Sequence, residues 1–187
     1  MVNQYFAIPA SYKGIKFRSR QEARWAVFFD TLGIQWLYEP EAYKLERMVY
    51  LPDFWLPKQN CFWEVKAPGG GGEGRCEGLV KLTKKPVYIH YGEVALSELF
   101  ALSIPGESLY DQSDSAHALW WGETGVAYDY YYLWCECPKC GLLGLEFEGR
   151  AARLPCECAD REVVDWVNAY SPRILAAYHA AQRYRFW

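Results

Sequence analysis

Apolar and polar positions change rhythm several times along the 187 residues, and each change marks an element. Residues 12–17, centred on Gly14, read as a short strand or hairpin. From Ser19 the period lengthens to that of a helix. Ala23, Ala26, Val27 and Phe29 supply helix formers and apolar spacing, Ser19 and Glu22 fit a capping box, and Gly33 ends the run. Strand-like apolar stretches follow at 34–38, 49–56 and 62–67, with Glu39-Pro40-Glu41 as a turn and 42–45 as a returning segment. The PGGGGEG run at 68–74 is a flexible loop, 77–83 a helix, and PVYIHY at 86–91 a buried strand. Beyond it the pattern predicts a helix over 94–102, an irregular stretch over 104–117 and aromatic strands at 118–121 and 126–134. Two helices, 161–169 and 172–184, then meet at Ser171-Pro172.

Within this frame the polar residues of LPDFWLPKQNCFWEVK, residues 51–66, stand out. Period-two alternation puts Glu64 and Lys66 on one face of a strand and Val65 on the other. If the two halves pair as a hairpin, Asp53 comes beside Glu64. Two carboxylates can then hold Mg²⁺ or Mn²⁺ against a phosphate, with the Lys66 ammonium beside the attacking water. The plainer reading is a strand-end aspartate and a cross-strand ion pair. A carboxylate between Phe62, Trp63 and Val65 is an odd choice for structure alone, because its burial costs several kcal/mol unless it is paired or metal-bound.

Pro52-Asp53 with Glu64-x-Lys66 resembles the PD-(D/E)xK nuclease superfamily. The preceding text, FRSRQEARWAVFFDTLGIQWLYEPE, resembles the branch that includes small phage nucleases and the endonuclease subunits of heteromeric transposases. The resemblance covers roughly the first half of the chain. It implies an α/β (α+β) fold with a restriction-endonuclease-like mixed central sheet flanked by helices. It also implies a helix glutamate leaning into the site, and Glu22 is the matching residue, as a cap, a ligand or both. The implied activity is metal-dependent hydrolysis of DNA phosphodiesters, with Asp53, Glu64 and Glu22 toward Mg²⁺ or Mn²⁺ and Lys66 toward the water. The alternative is a zinc-containing DNA-binding or assembly subunit on the same fold. Arg18, Arg20 and Arg24 face either phosphate or solvent, and Glu39 either solvates the turn or supports the site from behind.

A second signal lies near the C-terminus. Five of the seven cysteines fall between Cys135 and Cys158. Cys137-x-x-Cys140 and Cys156-x-Cys158 are two pairs able to close one tetrahedral Zn²⁺ site, with Cys135 as a spare. Four sulfurs leave no open position, so a structural ion is expected. Residues 1–92 therefore read as nuclease core, 93–134 as an aromatic-rich extension, and 135–187 as a zinc-knuckle region with C-terminal helices.

Composition changes this picture little. The chain is 51% hydrophobic and 18% aromatic, enough to bury a core. A formal charge of -3 argues against a general basic coat and for a local basic patch, a protein partner or self-association in DNA binding. Without an export signal or a membrane-length apolar run, a cytoplasmic location and no membrane contact are expected.

Overall fold

The computed structural model describes residues 7–46, 48–96, 99–103, 120–121, 127–158 and 168–186. The chain opens with a hairpin of β1 (Ala10–Tyr12) and β2 (Ile15–Phe17). Its two-residue turn has positive φ at Lys13 and Gly14, the geometry whose twist matches that of paired strands. Helix α1 (Arg20–Leu32) starts at Ser19, whose side chain accepts from the Glu22 N–H, and stops at Gly33 in the left-handed region.

The strand expected at 34–38 is shorter, because its first residues finish the helix. The Ile34 N–H donates to the Phe29 carbonyl at 2.8 Å and Trp36 Nε1 to Asp30 at 3.0 Å. Only β3 (Leu37–Tyr38) pairs. The expected strand at 49–56 is split, since Pro52 has no N–H to give a ladder. Its first part, β5 (Val49–Tyr50), forms a separate ribbon with β4 (Tyr43–Lys44), and its second, β6 (Phe54–Leu56), joins the main sheet.

After β6 come β7 (Cys61–Lys66), α2 (Glu73–Thr83), β8 (Val87–Tyr91), β9 (Leu99–Ser103), β10 (Trp120–Trp121), β11 (Ala127–Glu136), β12 (Leu143–Phe147) and α3 (Pro172–Arg183). The main sheet runs β10-β11-β9-β8-β7-β6-β3, with β12 also on β11. Among the described strands only β7 and β8 are parallel, joined through α2, so this is a mixed sheet in an α+β chain.

Two further sequence expectations need correction. Helix α2 begins at Glu73, not Glu77, taking the end of the glycine run with it; Gly72 at positive φ turns the chain, and the Tyr91 hydroxyl holds the Glu73 carboxylate at 2.5 Å. The helix expected over 94–102 is not formed. Residues 92–96 are bends, and Leu99–Ser103 is a central strand between β8 and β11. A short apolar run fits either period, and two neighbouring ladders decide it. The irregular stretch 104–117 and most of the helix expected over 161–169 lie outside the described residues; of the latter, Ala169 is described and forms a turn with Tyr170 before α3.

Successive side chains of β7 enter two different cores. Cys61 and Trp63 join Trp25, Phe28, Phe29, Trp134 and Tyr178 beneath α1 and α3. Phe62 joins Leu79, Val80, Val87 and Ile89 beneath α2. Trp25 and Trp63 meet at 4.4 Å between ring centroids, and Phe28 and Tyr178 at 4.5 Å, so the α1–sheet–α3 contact is largely aromatic. His90 is buried in this region edge-on to Trp25, and burial lowers its pKa to about 4, which makes it a neutral core residue. The sheet continues through residue 92 into β9 and β11, so the first half of the chain shares its ladders with the aromatic stretch.

Candidate functional site

Asp53 and Glu64 come together because β6 and β7 pair antiparallel with Phe54 opposite Trp63. The same register, carried one residue further, sets Asp53 across from Glu64. Both are buried, at 4% exposure each. The Asp53 N–H points to Glu64 Oε2 at 3.3 Å, and the Val65 N–H donates to Asp53 Oδ2 at 2.8 Å. Lys66 reaches back along its own strand to Glu64 Oε1 at 2.5 Å. Alternation thus puts the acid and its ammonium on one face of β7, as the spacing implies.

Glu22 arrives from the first turn of α1. Ser19 Oγ donates to Glu22 Oε1 at 2.8 Å, and the Arg18 N–H donates to Glu22 Oε2 at 3.1 Å. Tyr38 Oη also donates to Oε2, at 2.5 Å. Glu22 therefore caps its helix and faces the site at once. Burial raises the Asp53 pKa well above the usual carboxylate range; the charges of Glu64 and Glu22 raise it further, against the Val65 N–H and Arg18.

Arg18 had no clear assignment in the sequence. Its Nη2 lies 2.7 Å from Asp53 Oδ1 and its Nε 2.7 Å from Glu39 Oε1. Glu39 is tied to the site a second way, its N–H donating to the Asp53 carbonyl at 2.9 Å. Tyr38, already met at Glu22, and Tyr50 are the other residues missed. The Tyr50 hydroxyl faces Glu64 and lies 3.6 Å from Cys76 Sγ, and burial together with the Glu64 charge drives its pKa far up, so it stays a neutral donor. Tyr38 and Tyr50 sit in runs that read as ordinary strand aromatics, and nothing in their spacing marks them. Beside the carboxylates a cavity of about 580 Å³ is lined by Arg20, Glu22, Arg24, Val65, Lys66 and Gly92.

The cysteines form a different kind of site. The Sγ atoms of Cys137, Cys140, Cys156 and Cys158 all lie within 4.8 Å of one another, and this set could hold a metal such as zinc. Among the described residues no other group of three or more acid, histidine or cysteine side chains is gathered this closely. The carboxylate trio is looser, with Glu22 bound by Tyr38 and Ser19. Cys137 and Cys140 lie on a turn closed by the Gly141 N–H to the Cys137 carbonyl at 2.8 Å. Desolvation works against the Cys137 thiolate, but the Cys140 and Lys139 N–H groups outweigh it and hold the thiol down to about 6. Cys135 is one pleat away, buried on β11 outside the set, and its thiol is driven up by burial. The spare cysteine is thus a core residue.

No protein-family model, curated protein or solved structure matches this chain. The carboxylates and the cysteines must therefore be read from their own geometry. Among the described residues no helix is long and apolar enough to cross a membrane.

Proposed function

We propose that this protein is a metal-dependent DNA endonuclease of the PD-(D/E)xK kind, on a restriction-endonuclease-like core. The observation that carries the reading is the buried meeting of Asp53 and Glu64 on paired strands, with Lys66 on Glu64 and Glu22 opposite. Hard oxygen donors of this sort suit Mg²⁺ or Mn²⁺, and a cation there would offset the burial and the Glu64 and Glu22 charges that raise the Asp53 pKa. Asp53 and Glu64 would hold the ion, with Glu22 directly or through water. The ion's contribution would be to polarise the phosphoryl oxygen and lower the pKa of water.

The chain's own residues account for the rest. Lys66 is fixed by Glu64 and keeps its proton, since the charge and hydrogen bond of Glu64 outweigh the lowering by burial. It therefore orients water and meets charge developing on phosphorus as an ammonium, not as a base. Tyr38 and Ser19 fix the Glu22 carboxylate, and Tyr50 steadies Glu64. Arg20 and Arg24 line the neighbouring cavity and offer phosphate contacts. The cysteine set, with zinc, would hold the β11–β12 turn against the segment carrying Cys156 and Cys158 as scaffold.

The test is cleavage of supercoiled, linear, single-stranded and branched DNA with Mg²⁺ or Mn²⁺. Wild type should cut at least one form, and Asp53→Ala and Lys66→Ala should not. Cleavage that survives both substitutions removes these residues from the mechanism. Calorimetric binding of Mn²⁺ that is equal in wild type and Glu64→Ala would favour a zinc-bearing DNA-binding or assembly subunit.

A further inference from the structure

Both oxygens of Asp53 are already engaged: Oδ2 by the Val65 N–H and Oδ1 by Arg18 Nη2. The first partner is backbone and cannot leave. The second is a side chain 55% exposed, bound to a carboxylate only 5% exposed, so this partner reaches the buried acid from the solvent side. A cation approaching Oδ1 meets the like charge of Arg18 there, and the two compete for the oxygen. Arg18 is also held from behind, through Nε, by Glu39. That second hold is the decisive feature. If Nη2 lets go, the side chain pivots on Glu39 and its two terminal nitrogens face outward as a fork, the shape that matches phosphate.

We propose that Arg18 is the site's internal counter-cation, which occupies Asp53 in the ion-free protein and transfers to a nucleic-acid phosphate when a divalent cation takes its place. The exchange keeps the buried carboxylates neutralised in both states and makes ion entry and backbone binding mutually supportive. It rests on the reading of Asp53 and Glu64 as cation ligands, and it makes Arg18 a positioning and phosphate-binding residue.

The experiment is calorimetric titration of Mn²⁺ into wild type, Arg18→Gln, Arg18→Lys and Asp53→Asn, followed by binding of a short DNA duplex with Ca²⁺ present. Arg18→Gln should bind Mn²⁺ about tenfold more tightly than wild type, because the competing charge-assisted contact is gone. It should bind the duplex more weakly, with a salt dependence reduced by about one phosphate contact. Arg18→Lys keeps the charge but cannot grip Asp53 and Glu39 together, so it should fall between the two in Mn²⁺ affinity. Mn²⁺ affinity in Arg18→Gln equal to or below wild type overturns the proposal, and so does unchanged duplex binding. If wild type and Asp53→Asn bind Mn²⁺ alike, the carboxylate reading itself has failed. If only the Arg18 variants behave like wild type, the carboxylate reading stands without this exchange.

Discussion

Replacing Lys66 by methionine separates the structural from the chemical role of the ammonium. The Lys66–Glu64 contact is largely out of water, with side chains 15% and 5% exposed. Removing one partner of a buried pair costs about 3–5 kcal/mol, because the other charge is left behind. Here the lower end applies, since Lys66 keeps some access to water and Arg18 remains as a second cation beside Asp53. A loss of about 3 kcal/mol corresponds to a fall in Tm of roughly 6–12 °C for a chain of this size.

The pH dependence has a definite sign. Burial alone would lower the Lys66 pKa, but Glu64 raises it above the ordinary lysine value. A raised lysine contributes fully below about 10.4 and loses its contribution only as pH climbs through its folded value. The gap between wild type and Lys66→Met should therefore be constant from neutrality to about pH 9.5. It should narrow in acid, where the carboxylates take up protons. Saturating Mn²⁺ should stabilise both proteins, by about 2.7 kcal/mol at one hundred times Kd, and should stabilise the variant more, because the ion would replace the missing positive charge. Cleavage should not return, and a loss of about 100-fold or more is expected, as for removal of one charge-stabilising donor. Urea and thermal unfolding with and without Mn²⁺ give these numbers. A stability loss under about 1 kcal/mol, or a gap that Mn²⁺ leaves unchanged, would refute the reasoning.

Other substitutions test other joints. Asp53→Asn should raise the stability of the ion-free protein at pH above the raised Asp53 pKa: the cost of ionising the buried carboxylate is full there, shrinks as pH falls from the folded toward the ordinary carboxylate value, and is gone below the latter. By the same linkage, Mn²⁺ affinity in wild type should climb with pH until Asp53 is ionised, and calorimetry in buffers of different ionisation heat should show proton release that Asp53→Asn lacks. Purified protein should carry one zinc by elemental analysis, and Cys140→Ser or a strong chelator should remove it and lower Tm, as followed by CD on heating. Arg173 donates to the Leu32 carbonyl at 2.7 Å, to Glu136 Oε1 at 3.0 Å and to the Gly141 carbonyl at 3.2 Å. Because it is half-exposed, Arg173→Ala should cost only about 1–2 kcal/mol in urea unfolding, and DNA binding should stay unchanged if this residue is a structural tie and not a phosphate contact.

Local rules in the sequence settled much of this. Ser19, Glu22 and Gly33 mark the ends of α1 because caps are satisfied by residues three or four positions away. Glu64 and Lys66 share a face because strand geometry repeats every two residues. Two cysteine pairs with a short bite announce a common centre because a tight turn brings each pair together unaided, and the four do lie together. Long-range pairing settled the rest. Leu99–Ser103 became a strand because β8 and β11 supply ladders that a lone apolar run does not reveal. Arg18 joined Asp53 across 35 positions, and Tyr50 came to face Glu64 and Cys76, only once the hairpin, the ribbon and α2 had packed. Residue type and local period fix which groups have the chemistry. Which of them meet depends on burial and charge balance, and these exist only when the sheet has closed.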